Sequence, residues 1–182
     1  NRLLTRTDPL GRVTTFTYDA NGNLLSSTDA ANNTTTYTVN AQGLRLSRTD
    51  PLGNTTTYQY DASGFLTREI DPLGVATTYT YDADGNRTSE SVTRTTPSGP
   101  ETLVTQYLYD RNGRLTKTIF PDGCTKQNVY DGVGNVIAKI DPRGLQTSLT
   151  YDAQNRLLTT TYPDGATQTN TYDAEGLKIS ST

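Results

Sequence analysis

The chain is 182 residues long and 32% hydrophobic, with 16 Lys and Arg against 19 Asp and Glu, a formal charge of -3 and an isoelectric point near 4.9. One domain of this polarity is too hydrophilic for a membrane protein and too poor in aliphatic residues for a thick helix-packed core, and its balanced charge gives nucleic acid no electrostatic footprint. With no His, Met or Trp and a single cysteine, Cys124, it excludes histidine-dependent acid–base catalysis, Ser-His-Asp triads, Cys/His zinc sites and internal disulfides.

The opening stretch, Asn1 to Pro9, is polar and lacks the apolar segment of a signal peptide, so any targeting signal is expected upstream. No window approaches the roughly 18 apolar residues of a transmembrane helix, so membrane insertion is not expected. Threonine occurs 36 times, beside 12 Tyr and 15 Gly. Threonine and tyrosine favour strands and glycine supplies turns, so the bias points to an all-β chain.

Self-similarity decides the organisation. The pair Tyr-Asp recurs as Tyr18-Asp19, Tyr60-Asp61, Tyr81-Asp82, Tyr109-Asp110, Tyr130-Asp131, Tyr151-Asp152 and Tyr172-Asp173, with Val39-Asn40 as a degenerate copy. The spacing is 21 residues throughout, except for 28 between Tyr81 and Tyr109, giving eight units with one seven-residue insertion. Four residues after each tyrosine position stands Gly22, Gly43, Gly64, Gly85, Gly113, Gly134 or Gly176, with Asn155 as the single replacement. Asparagine is the usual substitute where φ is positive, so these are left-handed turn positions. A second turn falls fourteen residues after the tyrosine, at Gly53, Gly74, Gly123, Gly144 and Gly165, inside Asp-Pro-Leu-Gly, Asp-Pro-Arg-Gly or Pro-Asp-Gly, with Asn32 in that place in the second unit. Proline pre-sets the first central turn residue and cannot continue a ladder, so these clusters read as hairpin loops.

Between the turns lie six- or seven-residue segments of strand length. Phe16 and Tyr18 are two apart, as are Tyr58 and Tyr60, Tyr79 and Tyr81, and Tyr107 and Tyr109, which places each pair on one face of a strand. Eleven of the twelve tyrosines occupy the motif position or the one two before it, the exception being Tyr162. Stacked units would align them in ladders across the sheet. The other strand of each unit supplies Leu24 and Leu25, Leu46, Leu66, Leu115, Val136 and Ile137, and Leu157 and Leu158. The expected fold is an all-β repeat protein: residues 1–182 as a single array of eight 21-residue antiparallel hairpins. Sixteen or so strands at about 4.8 Å each would extend roughly 75 Å, and open sheets rarely exceed about ten strands without curling, so a curled or spiralling sheet is expected. A parallel β-helix with one coil per unit is the alternative. The insertion, around Thr95 to Glu101 within 91–106, reads as a lengthened surface loop and a contact handle. Both ends interrupt a unit, so a piece of a longer array, or a unit that joins its neighbours end to end, is expected.

Units such as Asp8-Pro9-Leu10-Gly11-Arg12-Val13-Thr14-Thr15-Phe16-Thr17-Tyr18-Asp19-Ala20-Asn21-Gly22-Asn23-Leu24 resemble the YD repeats of the Rhs family, which includes the teneurins and the C components of insecticidal toxin complexes. The resemblance covers essentially the whole chain. It implies a β-sheet strip spiralling into a hollow shell, which encloses a C-terminal toxin in bacterial members and belongs to an extracellular adhesion ectodomain in teneurins. Many such shells end in an Asp-Pro-x-Gly-Leu element of aspartyl autoproteolysis, and Asp141-Pro142-Arg143-Gly144-Leu145 matches those letters. Another ordinary repeat follows it here, and Asp8, Asp50 and Asp71 occupy equivalent places, so Asp141 reads as a turn aspartate.

The remaining candidates are few. The Tyr-Asp aspartates read as Asx-turn caps; a calcium ladder is the alternative, but the closing bidentate Glu and the nonapeptide period are missing. The tyrosine rows read as structural ladders, with a sugar-stacking platform as the alternative. Cys124 reads as an inert strand residue, with intermolecular pairing as the alternative. The sequons at Asn32, Asn33, Asn54 and Asn86 are expected by chance in a chain this rich in Asn and Thr. No carboxylate pair stands out, so no catalytic residue, cofactor or metal is expected. The sequence reading is therefore a non-catalytic wall segment, extracellular or at a cell surface, whose partners are flanking repeats or other copies and, by resemblance, an enclosed toxin. A self-associating fibre subunit and an adhesin that uses an exposed Tyr and Thr face for carbohydrate or protein are the alternatives.

Overall fold

The computed structural model describes residues 2–182, which form two compact units. The first contains the chain up to Tyr81 together with Glu90–Leu103, and the second Asp82–Ser89 together with Val104–Thr182. In the first unit β1 (Thr5–Thr7), β2 (Val13–Tyr18), β3 (Leu24–Thr28), β4 (Thr34–Val39), β5 (Arg45–Thr49), β6 (Thr55–Tyr60), β7 (Leu66–Ile70) and β8 (Ala76–Tyr81) follow one another. Each pairs antiparallel with the next. Next come β9 (Arg87–Thr96) and β10 (Gly99–Tyr109), which pair with each other and contribute residues to both units. The second unit continues with β11 (Leu115–Ile119), β12 (Thr125–Tyr130), β13 (Val136–Ile140), β14 (Gln146–Tyr151), β15 (Leu157–Thr161), β16 (Thr167–Tyr172) and β17 (Lys178–Ser181), again as an antiparallel meander from β10 onward. The β-helix alternative is thereby replaced by hairpins. No helix among the described residues is long and apolar enough to cross a membrane.

The insertion is not a loop. Its residues lengthen β9 and β10 to ten and eleven residues, around a turn at Pro97 and Ser98. Extending the ladder gives these backbone groups partners that a solvated loop would lack, and the pairs Thr93–Thr102 and Arg94–Glu101 fasten the extension across the strands.

Among the described residues, seven ladders with a known register carry a bulge, each at the motif tyrosine or its equivalent. Tyr18 pairs with Leu24 while Thr17 pairs with Ser26, which leaves Leu25 as the extra residue. Leu46, Thr67, Thr116, Ile137, Leu158 and Ile179 occupy that place in the other hairpins. The doublets Leu24-Leu25, Val136-Ile137 and Leu157-Leu158 thus become a residue opposite the tyrosine position followed by a bulge residue. The ladders flanking the other turns have no shift.

The repeats are also staggered. In the first unit Thr17 pairs with Ser26, Ser26 with Thr36, Thr36 with Thr49 and Thr49 with Thr55. Thr17 lies one residue before its tyrosine position, Thr36 three before and Thr55 five before, so equivalent residues slide by two per repeat. In the second unit Val129, Ser148 and Thr167 are linked through Ala138 and Thr161 with the same slide. Two residues are about 6.7 Å along a strand and two strands about 9.6 Å across, so equivalent positions run roughly 35° from the hydrogen-bond direction.

The two faces differ. In β2, Phe16 and Tyr18 are half-buried while Thr15 and Thr17 on the opposite side are exposed. On the threonine face, hydroxyls bridge neighbouring strands at Thr17–Ser26, Thr28–Thr34, Thr38–Ser47 and Thr49–Thr55, at 2.7–2.8 Å. Among the described residues only Ala138, Thr160 and Asn170 are buried, and no large side chain is fully so. A second layer usually supplies the core. Here side chains lace the sheet instead: the Tyr81, Tyr130, Tyr151 and Tyr172 hydroxyls donate to the carbonyls of Leu66, Leu115, Val136 and Leu157, at 2.9–3.0 Å. Each acceptor opens a bulged strand, where the ladder is disrupted.

Removing one such donor leaves a part-buried carbonyl short of a partner. Tyr151→Phe, which strips the Val136 carbonyl of its side-chain donor, is expected to destabilise the protein by about 1 kcal/mol. Tyr162→Phe, whose exposed hydroxyl reaches only Gln168, should change stability by less than about 0.5 kcal/mol. Urea unfolding of both variants measures the difference, and equal effects would remove the lacing role of the tyrosines.

Candidate functional site

The motif residues converge on the hairpin turns. At Asp19 the Gly22 amide donates to the Asp19 carbonyl at 3.2 Å, and the Asp19 amide donates to the Asn23 carbonyl at 3.0 Å. That is the pattern of a type I turn followed by a left-handed residue. Asp19 Oδ1 accepts the Asn23 amide at 2.8 Å, and Oδ2 accepts the Asn23 side-chain amide at 2.8 Å. The same frame recurs at Asp61, Asp82, Asp110, Asp131, Asp152 and Asp173, closed by Gly64, Gly85, Gly113, Gly134, Asn155 and Gly176. Asn155 has φ 62° and Asn32 φ 63°, so both asparagines expected in place of glycine adopt the left-handed conformation.

Both kinds of turn are one device. Asp8, Asp29, Asp50, Asp71 and Asp141 close their turns with the same backbone pattern as the Tyr-Asp aspartates. Asp141 Oδ1 accepts the amides of Arg143 and Leu145, and its Oδ2 meets the Arg143 guanidinium at 3.1 Å. Where Phe120 and Tyr162 replace the first aspartate, Asp122 and Asp164 accept the amides of Cys124 and Ala166 instead. Cys124 lies just before β12 rather than in a strand, exposed and without a disulfide. The neighbouring Asp122 carboxylate raises its thiol above the ordinary range, which keeps it protonated and unreactive.

The residue after the turn glycine was not singled out in the sequence, and it does the most. Arg114 donates from Nε to Asp110 Oδ2 at 2.7 Å, reaches the Asp131 carbonyl with Nη1 at 3.3 Å, and lies 4.7 Å over the Tyr130 ring. Arg156 pairs with Asp152 at 2.6 Å and covers Tyr172 at 4.7 Å, while Phe65 stacks on Tyr81 at 4.9 Å. These side chains seat on the glycine of the next turn along the same edge: Arg114 on Gly134, Arg156 on Gly176, Leu44 on Gly64 and Asn23 on Gly43. The signal was present as Asn or Arg following the glycine, but its partners lie about one repeat away.

Side-chain donors also set the electrostatics. Arg12, Asn23, Asn33, Asn54, Asn86 and Asn135 hold the carboxyls of Asp8, Asp19, Asp29, Asp50, Asp82 and Asp131 below the ordinary 3.8. Their oxygens are already occupied as acceptors, unlike the free oxygens a calcium ladder needs. No group of three or more His, Cys, Asp or Glu suited to a metal occurs among the described residues. One open surface hollow of about 560 Å³ lies beside Arg6, Asp8, Arg12 and Asp29, where Asp8 pairs with Arg12 at 2.7 Å and Asp29 holds Asn33.

With this geometry the class is defined: a single-layer sheet of aspartate-closed, tyrosine-laced hairpins. The RHS repeat model matches residues 1–34, 39–76, 60–101 and 130–167, more than half of the sequence, and the chain belongs to the RHS repeat family. No curated protein matches it in sequence. Among solved structures it is similar to the Tc holotoxin pore of Photorhabdus luminescens in a form carrying a TccC3 mutation, with TM-score 0.72 and 20% identity over 88% of this chain and 10% of that one. It is also similar to TcdB2-TccC3 without its hypervariable C-terminal region, with TM-score 0.51 and 16% identity over 96% of this chain and 13% of that one. At these identities the likeness is one of fold, and the chain spans about a tenth of those proteins.

Two consequences are measurable. Lowered carboxyl pKa values mean stability that is fully present above the unfolded value and lost as pH falls through the folded one. Melting temperature should hold between pH 7 and about 5 and fall steeply below about 4, and an Asp19→Asn/Asp131→Asn variant should show a shallower fall. A flat profile for the parent protein to pH 2 would contradict the turn role of these carboxylates. Gly43 and Gly53 have φ 81° and 86°, but a Cβ at Gly43 would stand 2.6 Å from Asn23 Oδ1, whereas Gly53 has nothing within 4 Å. Gly53→Ala should cost about 1–2 kcal/mol for its left-handed backbone, and Gly43→Ala about 1 kcal/mol more as Asn23 leaves Asp19. Equal losses in denaturant titrations would refute the seating of Asn23.

Proposed function

We propose that this chain is a length of wall in an RHS-repeat shell: a structural, non-catalytic array of eight 21-residue repeats spanning residues 1–182. The observation that carries the reading is the stagger, a slide of equivalent positions by two residues at each repeat. Strand tilt and stagger are linked in closed sheets, so a strip whose repeats advance obliquely to its strands has the stagger that a helical band requires. The repeated set from Tyr18, Asp19 and Gly22 to Tyr172, Asp173 and Gly176 serves as the structural motif that holds register along the band.

Function is then steric. The ladder separates two compartments, and the enclosed material is a polypeptide toxin in a particle exported from the cell; the fold shared with the Tc proteins supports this reading. Flanking repeats of the same array are the immediate partners. Nucleic acid is disfavoured by a net charge of -3.

Electron microscopy of the native protein that contains this sequence tests the proposal. Closed hollow particles with internal density are expected. Regular fibres, with a repeat set by end-to-end pairing of the chain, would overturn the shell and establish the self-associating alternative.

A further inference from the structure

Two turn tips carry a chemically labile pair. Asn21 and Asn112 stand immediately before the left-handed glycines Gly22 and Gly113, and no other asparagine of the chain precedes a glycine. Both are exposed, and neither carboxamide makes a hydrogen bond among the described residues. The asparagines that follow a turn glycine are placed differently: Asn23, Asn86 and Asn135 give their carboxamides to the turn aspartate and precede Leu, Arg and Val.

Asparagine is thermolabile, and a following glycine, with no side chain, leaves its nitrogen open to react. The Gly22 nitrogen bonds to Asn21 Cγ, the Cγ–Nδ2 bond breaks, and the glycine amide proton, carried by water, completes the departing ammonia. Water then opens the cyclic imide. Opening at the former carboxamide carbon restores the main chain as aspartate, and opening at the backbone carbonyl routes the main chain through the side chain as isoaspartate.

The folded turn withholds the nucleophile. The Gly22 amide donates to the Asp19 carbonyl at 3.2 Å and the Gly113 amide to the Asp110 carbonyl at 3.0 Å, so reaction requires the turn to open first. Each turn is also clasped by its own arginine. Arg2 donates from Nη1 to the Asp19 carbonyl at 2.8 Å and from Nη2 to the Ala20 carbonyl at 2.9 Å. Arg114 donates to Asp110 Oδ2 at 2.7 Å, and Oδ1 of the same carboxylate accepts the Asn112 amide at 2.9 Å. Isoaspartate adds a methylene to the main chain between the aspartate carbonyl and the glycine amide, so the frame that closed the turn no longer fits.

We infer that Asn21 and Asn112 are modification sites at which an opened turn converts to isoaspartate and does not close again, with Arg2 and Arg114 setting the rate at their own sites. Each conversion is a permanent record that one hairpin has opened, in a sheet whose register depends on closed turns.

The full chain is aged at mildly alkaline pH in buffer and, separately, in urea above its unfolding midpoint. Mass spectrometry of proteolytic peptides follows each site, and an isoaspartate-specific methyltransferase identifies the product. Both sites are expected to convert at least about tenfold faster in urea than in buffer. In buffer, Arg2→Ala should speed conversion at Asn21 by at least about threefold and leave Asn112 unchanged, and Arg114→Ala should do the reverse. Chain converted in urea and returned to buffer should unfold at a lower urea concentration than chain refolded without ageing. Equal rates in buffer and urea, a comparison that needs no variant, would remove the protection by the turn. An arginine variant that accelerates both sites alike, or neither, would overturn the pairing of clasp and site. An unchanged unfolding midpoint after conversion would show that the turn closes over isoaspartate, and would overturn the trap.

Discussion

A sheet with no second layer has to be held in register by its own turns. The described residues bury almost nothing deeply, so the free energy that a packed core ordinarily supplies is unavailable. Register matters more here than in a sandwich, because a one-residue slip exchanges the tyrosine and threonine faces along an entire strand. The aspartate at the start of each turn meets that demand locally. One carboxylate oxygen ties down backbone amides two and four residues ahead, and the other, where Asn or Arg follows the glycine, holds that side chain. A hairpin closed in this way has one permitted pairing, and each closed hairpin fixes the start of the next.

The tyrosine solves the problem that the bulge creates. An extra residue in the returning strand interrupts the ladder, and the next tyrosine hydroxyl donates to a carbonyl at that interruption. Asn128 and Asn170 donate to the same Leu115 and Leu157 carbonyls at 3.0 Å, which shows how much acceptor capacity the interruption leaves. Bulge and tyrosine therefore belong together, while the two-residue slide per repeat follows from the unequal lengths of the two strands of each hairpin. A sheet of equal strands without bulges would advance straight across its hydrogen bonds.

Much of this was legible in the sequence because it is local. Glycine and asparagine at one offset reported a positive φ, and Asn32 and Asn155 have it. Tyrosines at period two reported a face, and β2 and β8 show that face half-buried. What was not legible depends on residues about a repeat apart or on registers that no single segment encodes. The position after the glycine varies among Asn, Arg, Phe, Leu, Val, Cys and Ala, so it carries no constant letter, although Arg114 and Phe65 both cover the next tyrosine. The insertion was misread because Pro97, Ser98 and Gly99 signal a turn but not its width; the flanking Thr, Val and Arg residues continued the strands. The identity of the two turn classes was hidden by their differing letters, since Tyr-Asp and Asp-Pro share only the aspartate that performs the closure.

These constraints leave the tip of each turn free. The aspartate is committed to amides, the glycine to its backbone conformation and the seat for its neighbour, the following residue to the carboxylate or the next ring, and the tyrosine to the bulge. The residue before the glycine, at the tip, is seldom asked for anything beyond its backbone amide, as at Leu52 and Leu73. Its side chain is therefore where one stretch of array can differ from another without disturbing the fold. Leucine at one edge of the first unit and charge at the proline turns of the second are differences of that kind, and they concern what lies outside the sheet. A fold that spends nearly every side chain on its own register can address a neighbour only from its turn tips.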